Sequence, residues 1–149
     1  MDIARTTLAC ALCAVLALPV CAQATLGETP ESTELDRASM GASLRLSPAG
    51  QFTIHDMSAP SGTSIREYVS PTGKVFAVTW QGPVIPDLRQ LLGRYFERYT
   101  AAGKQAGRRQ IEVRDADFVL QSQGHMRAFS GRAYLPQLLP QGVAAEQIQ

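Results

Sequence analysis

Beyond position 21 the chain contains no cysteine: its three, Cys10, Cys13 and Cys21, all fall in an apolar N-terminal stretch. Loss of that stretch would leave a cysteine-free mature chain, and would exclude disulfides, thiol catalysis and thiolate metal sites together. An excess of one charge is lacking too. Fourteen Lys and Arg stand against thirteen Asp and Glu, a net charge of +1, which gives no broad field to draw in nucleic acid or an anionic membrane. Histidine is scarce, with only His55 and His125, and no His/Asp/Glu spacing supplies further zinc ligands. Neither a metal nor a cofactor is expected. The sequence has no glycine-rich phosphate loop and no nucleophile elbow, since Ser61-Gly62 and Ser130-Gly131 lack the flanking pattern.

What the N-terminus does contain is a positive flank at Arg5, an apolar run from Leu8 to Leu18 and the small-x-small pattern Ala22-Gln23-Ala24. These are the parts of an export signal cleaved after Ala24. The run falls well short of the roughly 20 residues of a transmembrane helix. A lipid anchor on Cys21 would want a small residue before it, where Val20 stands. The expected organisation is a signal peptide at 1–24, a flexible arm rich in Glu, Ser and Thr at 25–43, one domain at 44–140 and a short, loosely held tail at 141–149. The destination is the periplasm or the medium, with no stable membrane span after cleavage.

Within the domain, apolar residues alternate at period two in Gln51–Met57, Thr63–Ser70 and Lys74–Trp80, separated by Pro60-Ser61-Gly62 and Pro71-Thr72-Gly73. Leu44-Arg45-Leu46 before Ser47-Pro48-Ala49-Gly50 is a further hairpin candidate. Pro83 and Pro86 end the third strand, because proline cannot donate to a ladder. Asp87 and Gln90 form a capping-box pair, and Leu88, Leu91, Leu92, Tyr95, Phe96 and Tyr99 share one face of a helix from 88 to 102, closed by Gly103. A basic loop follows to Arg109. Gln110–Arg114 leading into Asp117–Gln121, and His125–Leu135, supply the two remaining strands, with Ser122-Gln123-Gly124 as the turn between them and Gly131 as a bulge or a close backbone approach. The expected fold is α+β: a small antiparallel sheet of about five strands packed against one amphipathic helix, in the order β-β-β-α-β-β.

The most polar cluster such a sheet could assemble is Arg66, Glu67, Tyr68, His125, Arg127 and Arg132. If the last strand pairs beside the second, Arg127 meets Glu67, either as a structural ion pair or as part of a pocket for a small anion or an envelope glycan. Trp80 beside Gly82-Pro83 is a core residue or the rim of such a pocket. A serine mechanism with His125 as base and Asp117 or Glu67 as orienter is the enzymatic alternative.

The string Ile65-Arg66-Glu67-Tyr68-Val69-Ser70-Pro71, then Val75-Phe76-Ala77-Val78-Thr79-Trp80-Gln81-Gly82-Pro83, then Gly124-His125-Met126-Arg127-Ala128-Phe129 and Gly131-Arg132-Ala133-Tyr134-Leu135-Pro136 resembles a family of exported proteobacterial proteins, the domain of unknown function 2844. The resemblance covers nearly all of the chain after the signal and implies no catalytic or binding residue. The expected role is a non-enzymatic envelope binding or accessory protein, with an envelope protein or glycan as partner and no nucleic acid. A periplasmic hydrolase using His125, or a secreted structural or assembly factor, are the alternatives.

Overall fold

The structure is a computed structural model that describes residues 26–29, 41, 43–106 and 110–149, without the side chains of 105 and 106. Seven strands form one antiparallel sheet: β1 (Ser43–Pro48), β2 (Thr53–Ser58), β3 (Ser64–Val69), β4 (Val75–Gly82), β5 (Gln110–Arg114), β6 (Val119–His125) and β7 (Ala128–Tyr134). Their spatial order is β1-β2-β3-β4-β7-β6-β5. The first four form a meander. The chain then leaves the centre of the sheet, crosses one face as a helix to the far edge, and returns through β5 and β6 to set β7 against β4.

The expected five-stranded sheet in the order β-β-β-α-β-β is therefore corrected to seven strands in the order β-β-β-β-α-β-β-β. Two local readings account for the difference. Leu44–Leu46 belongs to a full edge strand, paired with β2 from Ser43↔Ser58 to Pro48↔Thr53. Its alternation is faint because only one neighbour and one face need it: Leu44 is half-buried and Leu46 exposed. Residues 110–121 are two strands, split by a turn that the Asp115 N–H closes on the Phe118 carbonyl at 2.9 Å. Ser122-Gln123-Gly124 is no turn but lies inside β6. Gly124 is needed there for close approach, since a Cβ would sit 2.6 Å from the Phe129 ring and 2.8 Å from the Ala128 carbonyl oxygen. The reversal falls instead at Met126 and Arg127, whose φ angles of 21° and 66° approach a primed hairpin turn without the usual Asn or Gly.

The helical segment starts where expected. The Asp87 side chain accepts the Gln90 N–H at 3.1 Å and caps α1 (Leu88–Leu92). Gly93, at φ 49°, ends α1; a 3-10 turn over Gly93–Tyr95 leads into α2 (Phe96–Ala106). Gly103 does not terminate the helix. A Cβ there would meet Ile111 Cδ1 at 3.1 Å, so its glycine lets α2 close on β5.

Leu88, Leu91, Leu92 and Tyr95 are buried, and Phe96 and Tyr99 packed beside them, against Met57, Ile65, Val78, Trp80, Ile111, Leu120 and Ala133 of the sheet. Each large side chain contributes about 1.5–3 kcal/mol gross. Tyr95 stacks on Phe118 at 4.7 Å. Arg98 reaches from α2 to the β5–β6 turn, donating to Asp117 Oδ1 at 2.7 Å, to Asp117 Oδ2 at 3.0 Å and to Asp115 at 3.2 Å.

Both ends of the domain add to the sheet. Leu26, expected in a flexible arm, is buried, and its N–H donates to the Leu91 carbonyl at 3.3 Å. Gly27 N–H donates to Val75 and Val75 N–H to Glu28, stitching this segment to the start of β4. The tail is not loosely held: Leu139, Val143 and Ile148 pack on Tyr68, Phe76 and Ala77 on the face opposite the helix. The signal region to 25, residues 30–40 and 42 of the arm, and 107–109 of the basic loop lie outside the described residues.

The label "cysteine-free" is also corrected. Cys10, Cys13 and Cys21 are part of the chain and lie outside the described residues.

Candidate binding site on the open sheet face

Alternation puts every second residue of each strand on the face away from the helix, and the pairing register aligns them into rows that cross five strands. One row is Ser64, Gln81, Ser130, Gln123 and Gln110, from β3 through β4, β7 and β6 to β5. Two residues along, the next is Arg66, Thr79, Arg132, Gln121 and Glu112. A cavity of about 410 Å³ lies over these two rows and is lined by all ten residues. Between the rows it is floored by Trp80, Gly131, Ser122 and Ile111, and Ile148 and Gln149 of the tail complete the lining.

Gly131 is required by the other face. A Cβ there would lie 2.2 Å from Cζ2 of Trp80, whose ring is buried in the helix-side core. Of the two expectations for this glycine, close approach holds and the bulge does not, since it continues the β4–β7 and β6–β7 ladders without a shift.

The charged row is committed to internal partners. Arg66 donates through Nε to Asp56 at 2.8 Å and through Nη1 to the main-chain oxygen of Gln149 at 3.1 Å. The Asp56 hydrogen bond is the main reason that the Arg66 guanidinium holds its proton more firmly than usual. Arg132 donates to Gln121 Oε1 at 2.8 Å and to the carbonyls of Ala145 and Ile148 at 3.0 and 3.4 Å. The other end of the Gln121 amide donates to Glu112 at 2.9 Å, and Arg114 donates to the same carboxylate oxygen at 2.7 Å. Gln121 first, then Arg114, holds the Glu112 carboxyl below its ordinary range. The Tyr68 hydroxyl donates to the Gln149 oxygen at 2.6 Å and accepts its N–H at 3.1 Å. These bonds fix the tail along one side of the cavity.

The uncharged row is far freer. Ser64, Gln81, Gln123 and Gln110 are exposed and Ser130 is half-exposed. The one side-chain hydrogen bond within the row is Gln123 Nε2 to Ser130 Oγ, at 3.5 Å.

The residues singled out from the sequence are divided among three places. Arg66, Tyr68 and Arg132 come together on the open face, at the cavity or under the tail. Glu67 is fully buried on the helix face, across from His55 of β2, and Trp80 is buried on that same face while its backbone row floors the cavity. His125 and Arg127 stand at the exposed β6–β7 hairpin end, four residues beyond the Gln121 row. Arg127 does not meet Glu67, because β4 lies between β3 and β7. Of the ten row residues only Arg66 and Arg132 were foreseen; Ser64, Thr79, Glu112, Ser130 and the four glutamines were not. Their signal was present in the polar alternation of Gln121 and Gln123, which the supposed turn at 122–124 concealed.

The comparisons with known proteins bear on the same residues. A family model described as a protein of unknown function, DUF2844, matches residues 22–148. The chain is a DUF2844 protein. No curated protein and no solved structure matches it. Membership places both rows, the helix and most of the tail within the family's shared region. Among the described residues this DUF2844 protein has no helix long and apolar enough to cross a membrane, and no group of three or more His, Cys, Asp or Glu that could hold a metal ion.

Proposed function

We propose that this DUF2844 protein is an exported, non-enzymatic domain that binds an envelope component in the cavity over the two polar rows. The observation that carries this reading is the pairing state of the lining. The charged groups are tied to one another and to the tail, and Glu112 is the sole side-chain carboxylate among the lining residues, which include no histidine or lysine. Among the described residues Ser64, Ser122 and Ser130 hydrogen-bond to no histidine, lysine or carboxylate that could activate them, which nucleophilic catalysis needs. His125, the base of the hydrolase alternative, makes no side-chain hydrogen bond among the described residues and lies outside the cavity lining. A recessed field of donors and acceptors on a rigid sheet is suited to recognition.

Retention of envelope material by the immobilised protein tests the reading. Ser130→Leu, which fills the middle of the cavity, should abolish retention, while the His125→Ala/Arg127→Ala pair at the hairpin end should retain as much as the parent. Equal recovery by Ser130→Leu overturns the site, and chemical conversion of the retained material overturns the non-enzymatic role. Export is tested by N-terminal sequencing of the protein from the periplasmic fraction, with Thr25 as the expected first residue.

A further inference from the structure

Resting on that binding reading, we infer that the occupant of the cavity is a neutral oligosaccharide chain laid along the row Ser64, Gln81, Ser130, Gln123 and Gln110. Each glutamine amide offers two donors and an acceptor with two lone pairs, and each serine hydroxyl both donates and accepts. A row built only of such groups matches a ligand whose own groups are of both kinds at short intervals, as sugar hydroxyls and acetamido groups are.

Other ligand classes fit less well. An anion needs uncommitted cations, but Arg66 is already bonded to Asp56 and Arg132 to Gln121 and two tail carbonyls. It would also face the ionised Glu112. A cation would find one side-chain carboxylate, already shared by Arg114 and Gln121, and the Gln149 oxygen already taken by Arg66 and Tyr68. An apolar ligand would leave the row's amides desolvated without partners. An extended peptide pairs alongside an edge strand, whereas this row runs across five strands and reaches the edge only at Gln110 of β5.

The size of the row sets the length of the ligand. Five strands about 4.8 Å apart span roughly 19 Å, several sugar units and far more than one. No aromatic side chain belongs to the row, so binding is weak and selective for chain length more than for any single sugar.

The experiment is a titration of the processed, uniformly 15N-labelled protein, followed by amide and glutamine side-chain NMR signals. The probes are N-acetylglucosamine and its linear tetramer, maltotetraose, a tetragalacturonate as the acidic counterpart, and an uncharged Gly/Ser/Ala octapeptide. The inference expects saturable shifts centred on Gln81, Gln110, Gln123 and Ser130 with at least one neutral tetrasaccharide, and much smaller shifts with the monosaccharide. Affinity should be nearly unchanged between low and high salt, and Gln123→Leu should weaken it about tenfold, the effect of losing one or two hydrogen bonds. Gln123 is exposed, and an unchanged thermal midpoint verifies that its variant folds.

Shifts with tetragalacturonate alone, with the octapeptide alone, or with none of the probes overturn the inference. If envelope retention is still abolished by Ser130→Leu in those cases, the binding reading stands and only the ligand class falls. If retention is insensitive to Ser130→Leu, the site itself is lost.

Discussion

The two faces of this sheet are built from the same seven strands and covered in opposite ways. The helix face is sealed by Leu88, Leu91, Leu92 and Tyr95 over an apolar surface interrupted by buried Glu67 and His55. Among the described residues the apolar cluster of the open face lies where Phe52, Ile54, Tyr68, Phe76, Ala77 and Tyr134 meet the tail, with the Phe52, Tyr68 and Phe76 ring centroids 5.7–6.1 Å apart. The rest is two polar rows, the charged one tied by hydrogen bonds and the uncharged one largely free. One face supplies the free energy that holds the strands in register; the other is thereby free to present side chains that contribute little to folding.

The largest test of that division compares one residue from each cover. Leu91→Ala should lower the unfolding free energy in urea by about 2–5 kcal/mol. Ile148→Ala, equally buried, should cost no more than about 2 kcal/mol, the low end for such truncations, because the tail can peel away and leave the sheet intact. Equal losses would show that both faces belong to a single cooperative core.

Gly131 lies where the faces meet. Gly131→Ala forces the Trp80 ring or the strand to move, since the new Cβ would fall 2.2 Å from Cζ2 and 2.9 Å from the Gln121 carbonyl oxygen. A loss of about 1–3 kcal/mol is expected from overpacking, together with shifts of the Gln121 and Ser130 amides on the far side. A change confined to the helix side would show that the faces are uncoupled there.

The smallest effect concerns the clasp between α2 and the β5–β6 turn. Hydrogen bonding to Arg98 holds the Asp117 carboxyl below its ordinary range. A carboxylate depressed in the folded state adds stability above its unfolded value and loses it as pH falls through the folded one. Between about pH 5 and pH 2, the parent should therefore lose slightly more thermal stability than Arg98→Ala. Parallel curves would mean that the exposed clasp adds nothing.

Local signals were legible in the sequence where chemistry and periodicity agree. The Asp87 cap, the helical apolar face and the strand from Lys74 to Trp80 required no tertiary information. Edge strand β1 was obscured because an edge needs only a faint pattern, and β6 because Gly124, read as punctuation, serves the Phe129 contact. The Met126–Arg127 reversal has no Asn or Gly to announce it, and positive φ there is imposed by the ladder on either side. Of the candidate site, Arg66, Tyr68 and Arg132 were legible as polar strand residues. The two rows were not, because a row exists only once β7 is known to lie against β4, a partner about fifty residues away in sequence.

That β4–β7 seam has a consequence of its own. Among the described residues it is the only place where the early meander and the late one touch as strands, and Gln81 faces Ser130, and Thr79 faces Arg132, across it. Two polypeptides separated in the α2–β5 connection would each carry half of the rows, so the recess would come into being only when the halves reassociate, and an occupant bridging the join would act as their glue.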